Sequence, residues 1–154
     1  MERRRNNLTK DYEKVITKLG ISNFILRIGY VSHVLRIYHV PIVELSLEGT
    51  LITASECLVL ATIPQISTLQ RLNLSSNPIT ILGLLHLLDP RVSELRQLTH
   101  LRVVDCDIDQ AQTYMVSNDR LENTRAPFKL THLNLSHNKL SHFLNYCVEL
   151  DLIN

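Results

Sequence analysis

An eleven-residue frame returns four times in this chain, and that recurrence limits the available folds more than anything else in the sequence. The two clearest copies are Leu69-Gln-Arg-Leu72-Asn-Leu74-Ser-Ser-Asn77-Pro-Ile79 and Leu130-Thr-His-Leu133-Asn-Leu135-Ser-His-Asn138-Lys-Leu140. Between them stands Leu98-Thr-His-Leu101-Arg-Val103-Val-Asp-Cys106-Asp-Ile108, and ahead of all three comes Ile42-Val-Glu-Leu45-Ser-Leu47-Glu-Gly-Thr50-Leu-Ile52. From Ile42 to Leu69, Leu98 and Leu130 the spacings are 27, 29 and 32 residues. One copy would mean little; four at repeat-like intervals mark a stack of similar units.

Each position in the frame has a physical reason. The pairs Leu45/Leu47, Leu72/Leu74, Leu101/Val103 and Leu133/Leu135 are each separated by one residue, the period of a strand with one buried face. So short a strand cannot bury that face alone. Stacked on its copies it can, and the core then grows along one axis. Thr50, Asn77, Cys106 and Asn138 follow the strand where the chain turns. A turn inside a stack leaves backbone groups unpaired, and asparagine can both donate to and accept from them; threonine and cysteine do so only in part. A carboxylate or ammonium at that position would be buried without a partner at a cost of several kcal/mol, and no copy has one.

The intervals leave room for a helical return after each strand. Ser55 is the expected cap of a helix over Glu56–Thr62 that Pro64 stops, and Ile81–Leu88 forms a second helix ended by Asp89-Pro90. A third helix is expected over Asp109–Val116, followed by a polar surface loop over residues 117–126. A fourth, apolar helix is expected over residues 142–150. Upstream, a helix is expected over Lys10–Leu19, and beyond Ile21 the residues Phe24, Ile28, Val31, Leu35 and Tyr38 recur at helical spacing. Ile25-x-x-Ile28-x-Tyr30 read as a degenerate repeat would leave 17 residues before Ile42, too few for strand, turn and return helix. The domain reading is therefore a helical N-terminal cap over residues 1–40 and a repeat domain with about four repeats over 41–154.

The frame resembles the leucine-rich repeat, and the long intervals are similar to those of the ribonuclease-inhibitor-like subclass. Gly83 stands where that subclass often has glycine, although Glu56, Gln112 and Leu144 fill the same offset in the other copies. The resemblance implies an α/β solenoid, a right-handed β-α superhelix with parallel strands on the concave face and helices on the convex face. It also implies binding of a protein partner on that concave face.

In this register the residues between the leucines line the concave wall in columns. The first is Glu44, Arg71, His100 and His132; the second is Ser46, Asn73, Arg102 and Asn134; the third is Glu48, Ser75, Val104 and Ser136. Beside them lie Gly49, Ser76, Asp105 and His137. The wall is polar and mixed in sign, acidic in the first unit and more basic or histidine-bearing in the last, which suits a polar protein partner. His100 and His132 are neighbours in one column, where a pH-sensitive contact is one reading.

Other classes find little support. Net charge is +1, so bulk electrostatics directs the chain to neither membrane nor nucleic acid, the latter being expected only within a ribonucleoprotein. No apolar run reaches a membrane span and no leader follows the N-terminal arginines, so an intracellular, cytoplasmic protein is expected. Cys57, Cys106 and Cys147 are odd in number and widely spaced, fitting neither a disulfide framework nor a zinc site. His132, His137 and His142 fall on strand, turn and return segment, so convergence on one metal is not expected. Phosphate-loop, nucleophile-elbow and zinc-protease motifs are missing, and no cofactor or catalytic residue is expected. The leading expectation is a non-catalytic protein-interaction module. Alternatives are a structural subunit of a cytoskeletal, ciliary or ribonucleoprotein assembly, docking in part through its C-terminal repeat, and a GTPase regulator, which rests on fold analogy alone.

Overall fold

The computed structural model describes residues 18–22, 29, 32, 33, 35, 41–89, 91–109 and 129–140. Five short strands lie side by side in chain order: β1 (Lys18–Gly20), β2 (Glu44–Ser46), β3 (Arg71–Asn73), β4 (His100–Arg102) and β5 (His132–Asn134). All four pairings are parallel, and each places a frame leucine beside the next: Leu19, Leu45, Leu72, Leu101 and Leu133 share one row. Two helices return the chain after β2 and β3, namely α1 (Ala54–Ala61) and α2 (Thr80–Leu88), and a 3-10 turn covers Pro64–Ile66.

The core lies between sheet and helices. Leu45, Leu47, Leu72, Leu74, Leu101 and Val103 from the strand side meet Cys57 and Leu60 of α1 and Ile81, Leu84 and Leu87 of α2, all of them buried. Each such aliphatic side chain contributes roughly 1.5–3 kcal/mol. Leu133, Leu135 and Leu140 of the last described unit are partly buried and pack against the same cluster.

Three local expectations are corrected. Lys18 and Leu19 do not end a helix; they belong to β1, a fifth strand that pairs with β2. The frame explains why, since Ile16-Thr-Lys-Leu19-Gly-Ile21 repeats the apolar spacing of Ile42-Val-Glu-Leu45-Ser-Leu47. Leu19 and Ile21 accordingly pack against the core. The cap of α1 is Thr53 rather than Ser55: the Glu56 carboxylate reaches back to accept from Thr53 N–H at 2.9 Å, one half of a capping box. Asp109 does not open a helix but forms a parallel bridge with Lys139, carrying the pairing past the turn. In the proposed cap region, Gly29, Ser32, His33 and Leu35 are helical and Leu35 is buried. The remainder of the cap, the third and fourth return helices, the loop at 117–126 and the C-terminal repeat's end lie outside the described residues.

Candidate functional site: the concave wall

The turn after each strand sets the wall's shape. Asn77, 2% exposed, works on two units at once. Its Oδ1 accepts from the backbone N–H groups of Thr50 at 2.9 Å and Ile52 at 3.0 Å in the preceding unit. Its Nδ2 donates to Leu47 O of that unit and to Leu74 O and Ser75 O of its own. Asn138 repeats the pattern on the next pair but one, accepting from Cys106 N and Ile108 N and donating to Val103 O and Leu135 O. Thr50 manages a shorter version, with Oγ1 donating to Leu47 O at 2.8 Å. Cys106 directs its thiol at Leu74 O at 3.2 Å. Gly49, Ser76, Asp105 and His137, each one residue before the turn position, all have φ between 54° and 63°. The turn is therefore the same left-handed bend in four units; Gly49 adopts it at least cost, Asp105 and His137 tolerate it, and Ser76 is the residue least suited to it.

On this frame the columns fall into register. Lys18, Glu44, Arg71, His100 and His132 form one row across the five strands, and Gly20, Ser46, Asn73, Arg102 and Asn134 form the next. They line an open groove of about 910 Å³ with Ser136 at its far edge. Glu44 sits between two cations, paired with Lys18 at 2.7 Å and with Arg71. The hydrogen bond from Lys18 is the leading reason its carboxyl is held below the usual carboxylate range, with Arg71 adding to it. Glu48 accepts from Asn73 Nδ2 at 3.0 Å. Ser75 departs from its expected role: it is 2% exposed, donates to Asn73 Oδ1 at 2.7 Å and accepts from Val104 N, so it braces the wall instead of facing a partner. Asn134 and Ser136 repeat the Asn73–Ser75 bond at 2.7 Å with Ser136 exposed.

His100 and His132 stack with ring centroids 4.1 Å apart and planes 5° from parallel. Each Nδ1 lies beside the hydroxyl of the preceding threonine, Thr99 at 2.9 Å and Thr131 at 2.8 Å. Partial desolvation, then His132 and Arg71, lower the proton affinity of His100 below that of a free histidine. Arg102 is exposed, and its guanidinium has no hydrogen-bond or ion-pair partner among the described residues. Cys57 and Cys106 are free and buried, and desolvation pushes both thiols up. Among the described residues no group of three or more His, Cys, Asp or Glu side chains forms a metal cradle, and no helix is long and apolar enough to cross a membrane. His142 lies outside the described residues.

Parallel strands one repeat apart, helices returning on the other side and a shared turn define an α/β leucine-rich-repeat solenoid. A family model described as Leucine Rich repeat matches residues 65–87 and 126–141, two of the repeats that this fold stacks. Both matched segments carry asparagine at the turn position, Asn77 and Asn138; the copies with Thr50 and Cys106 lie outside them. No curated protein matches the chain in sequence. Repeats of this kind commonly mediate contacts between proteins and generally lack catalytic activity.

Proposed function

We propose that the protein is a non-catalytic interaction module, close in kind to the ribonuclease-inhibitor-like repeats, that takes a protein partner on its concave strand face. The observation that carries this reading is the register: residues from five separate strands come into two continuous rows, polar apart from Gly20, with Arg71, Arg102 and His132 exposed along them and Ser136 exposed just beyond β5. Such rows offer hydrogen bonds and charge to an extended surface without the enclosed geometry a reaction centre needs. Glu44, Ser46, Glu48, Asn73, His100, Val104 and Asn134 complete the contact surface, while Thr50, Asn77, Cys106 and Asn138 serve as its turn ladder. Free, buried cysteines suit a reducing, intracellular setting.

The test is capture of binding proteins from the native source by immobilised wild-type protein and by variants. Arg71→Glu and Arg102→Glu should each weaken capture about tenfold or more, as charge reversal at a polar interface does. Leu58→Ser and Leu82→Ser, on the exposed faces of α1 and α2, should leave it intact. The opposite pattern would assign binding to the convex side. That outcome would favour a second reading, a structural subunit of a larger assembly, for which the exposure of Leu58, Val59 and Leu82 at 37%, 44% and 40% is the supporting observation.

A further inference from the structure

The wall is unevenly charged once its internal pairs are set aside. Lys18 and Arg71 are both engaged with Glu44, and Glu48 is held by Asn73. Across β4 and β5 the two rows hold His100, Arg102, His132 and Asn134, with no carboxylate among them. Arg102 therefore stands on β4 with no counter-charge among the described residues, in the row beside a stacked imidazole pair. Among the described residues the acids of these units, Asp105, Asp107 and Asp109, all follow the strand, and Asp105 and Asp107 have left-handed backbone.

We propose that this half of the wall, centred on Arg102 and the stacked His100–His132 pair, receives an acidic segment of a protein partner and takes up a proton as it does so. The proposal rests on the concave-face reading above and adds to it the partner's chemistry and a proton linkage.

The geometry of the pair supplies the linkage. The Thr99 and Thr131 hydroxyls occupy the Nδ1 side of each ring, so Nε2 is the nitrogen without a partner among the described residues. A charged imidazole donates from both nitrogens. Nδ1–H then donates to the threonine oxygen, whose own hydrogen has a backbone carbonyl to go to, Gln70 O for Thr99 and Thr99 O for Thr131. Nε2–H is left to donate to an incoming carboxylate. Without an anion this charged state is opposed by the second ring and by Arg71, the latter only partly offset because Glu44 also serves Lys18. Arg102 lies in the adjoining row of β4, and Asp105 and His137 lie in the turns that follow β4 and β5. A carboxylate placed between Arg102 and the rings reverses the sign of the field there, so binding and protonation reinforce each other. Single-stranded nucleic acid is the poorer fit, because neither row carries a Phe, Tyr or Trp on which a base would stack.

The experiment uses the full chain and a short glutamate-rich peptide as probe, with a lysine-rich peptide and a single-stranded oligonucleotide as alternatives, followed by NMR of the histidine ring resonances. The glutamate-rich peptide should shift the His100 and His132 signals and bind about fivefold more tightly near pH 6 than near pH 7.5. Arg102→Glu should abolish the response. His100→Gln with His132→Gln should retain binding near pH 7.5 and lose the gain on acidification. Ring shifts with the oligonucleotide but not the peptide, or peptide binding unchanged by pH, overturn the proposal. If the peptide fails while Arg71→Glu and Arg102→Glu still abolish capture of native partners, the acidic-segment inference falls and the concave-face reading stands. If capture is also indifferent to those variants, both fall.

Discussion

Asn77 shows how much one buried carboxamide can do. Alanine there would leave the buried N–H groups of Thr50 and Ile52 without their acceptor and reduce the carbonyls of Leu47 and Leu74 to the Thr50 hydroxyl and the Cys106 thiol. Unsatisfied buried groups cost about 1–3 kcal/mol each, partly relieved by relaxation, so Asn77→Ala should lower stability by roughly 3–5 kcal/mol. Urea denaturation followed by far-UV circular dichroism measures this, and a loss within error of zero would mean the ladder is decorative. Asn138→Ala, at a partly exposed turn, should lose less. That the turn position bears structural weight was legible from the types of residue that fill it. The left-handed bend one residue earlier was not, because Ser76 carries no signal for it and Asp105 and His137 only a weak one. The hydrogen bonds around them hold a backbone state worth about 1–2 kcal/mol against it.

Among the elements, α1 and α2 meet at Gly83. A Cβ there would lie 3.1 Å from Ala54 Cα, 3.1 Å from Ile79 Cβ and 3.2 Å from Cys57 Sγ. Alanine ordinarily gains about 1 kcal/mol over glycine inside a helix, but here the nearest obstacle is the backbone of α1, which cannot turn aside as a side chain would. Gly83→Ala should therefore be net destabilising by about 1 kcal/mol, the strain exceeding the gain in propensity. A thermal melt of the variant above that of the wild type would show that the helices have room to part. The strands at 44, 71, 100 and 132 could be placed from the frame because pattern and pairing agree there. β1 escaped because Phe24 occupies the place that Thr, Asn or Cys fills in the other copies, and a charged approach before it reads as helix. The Thr53 cap was hidden by Ser55, an equally good capping residue two positions on; Glu56 three residues after Thr53 was the available clue.

At the scale of the molecule, two of the described groups on one row shift their proton affinity on folding and contribute to the response to acid. The Glu44 carboxyl titrates below its ordinary 4.5 when folded, so its ion pairs stabilise the fold above that value and are lost as pH falls through the folded one. His100 binds its proton less readily folded than unfolded, so stability declines as pH falls from its ordinary 6.5 toward its folded value. Both effects have the same sign. Denaturation midpoints should decrease monotonically on acidification, in two stages; Lys18→Gln should weaken the lower stage, and His100→Gln should remove the upper one. A midpoint that rises through either window would reverse the assignment. The wall's two rows were readable from the repeat register alone, whereas the pairing of Glu44 with two cations, the ring stack and the burial of Ser75 depend on distances that a one-dimensional pattern does not contain. The cysteine at 106 has a final consequence at this scale. At the turn position asparagine amides join the second strand's unit to the third's and the fourth's to the fifth's, while between the third and fourth that place is held by a thiol, beside the Val104 N–H to Ser75 Oγ bond and the backbone bonds of the sheet. The junction between the third and fourth units thus lacks the multiple bonds an asparagine makes at the turn, and a partner that must flatten the curve will meet least resistance there on the turn side.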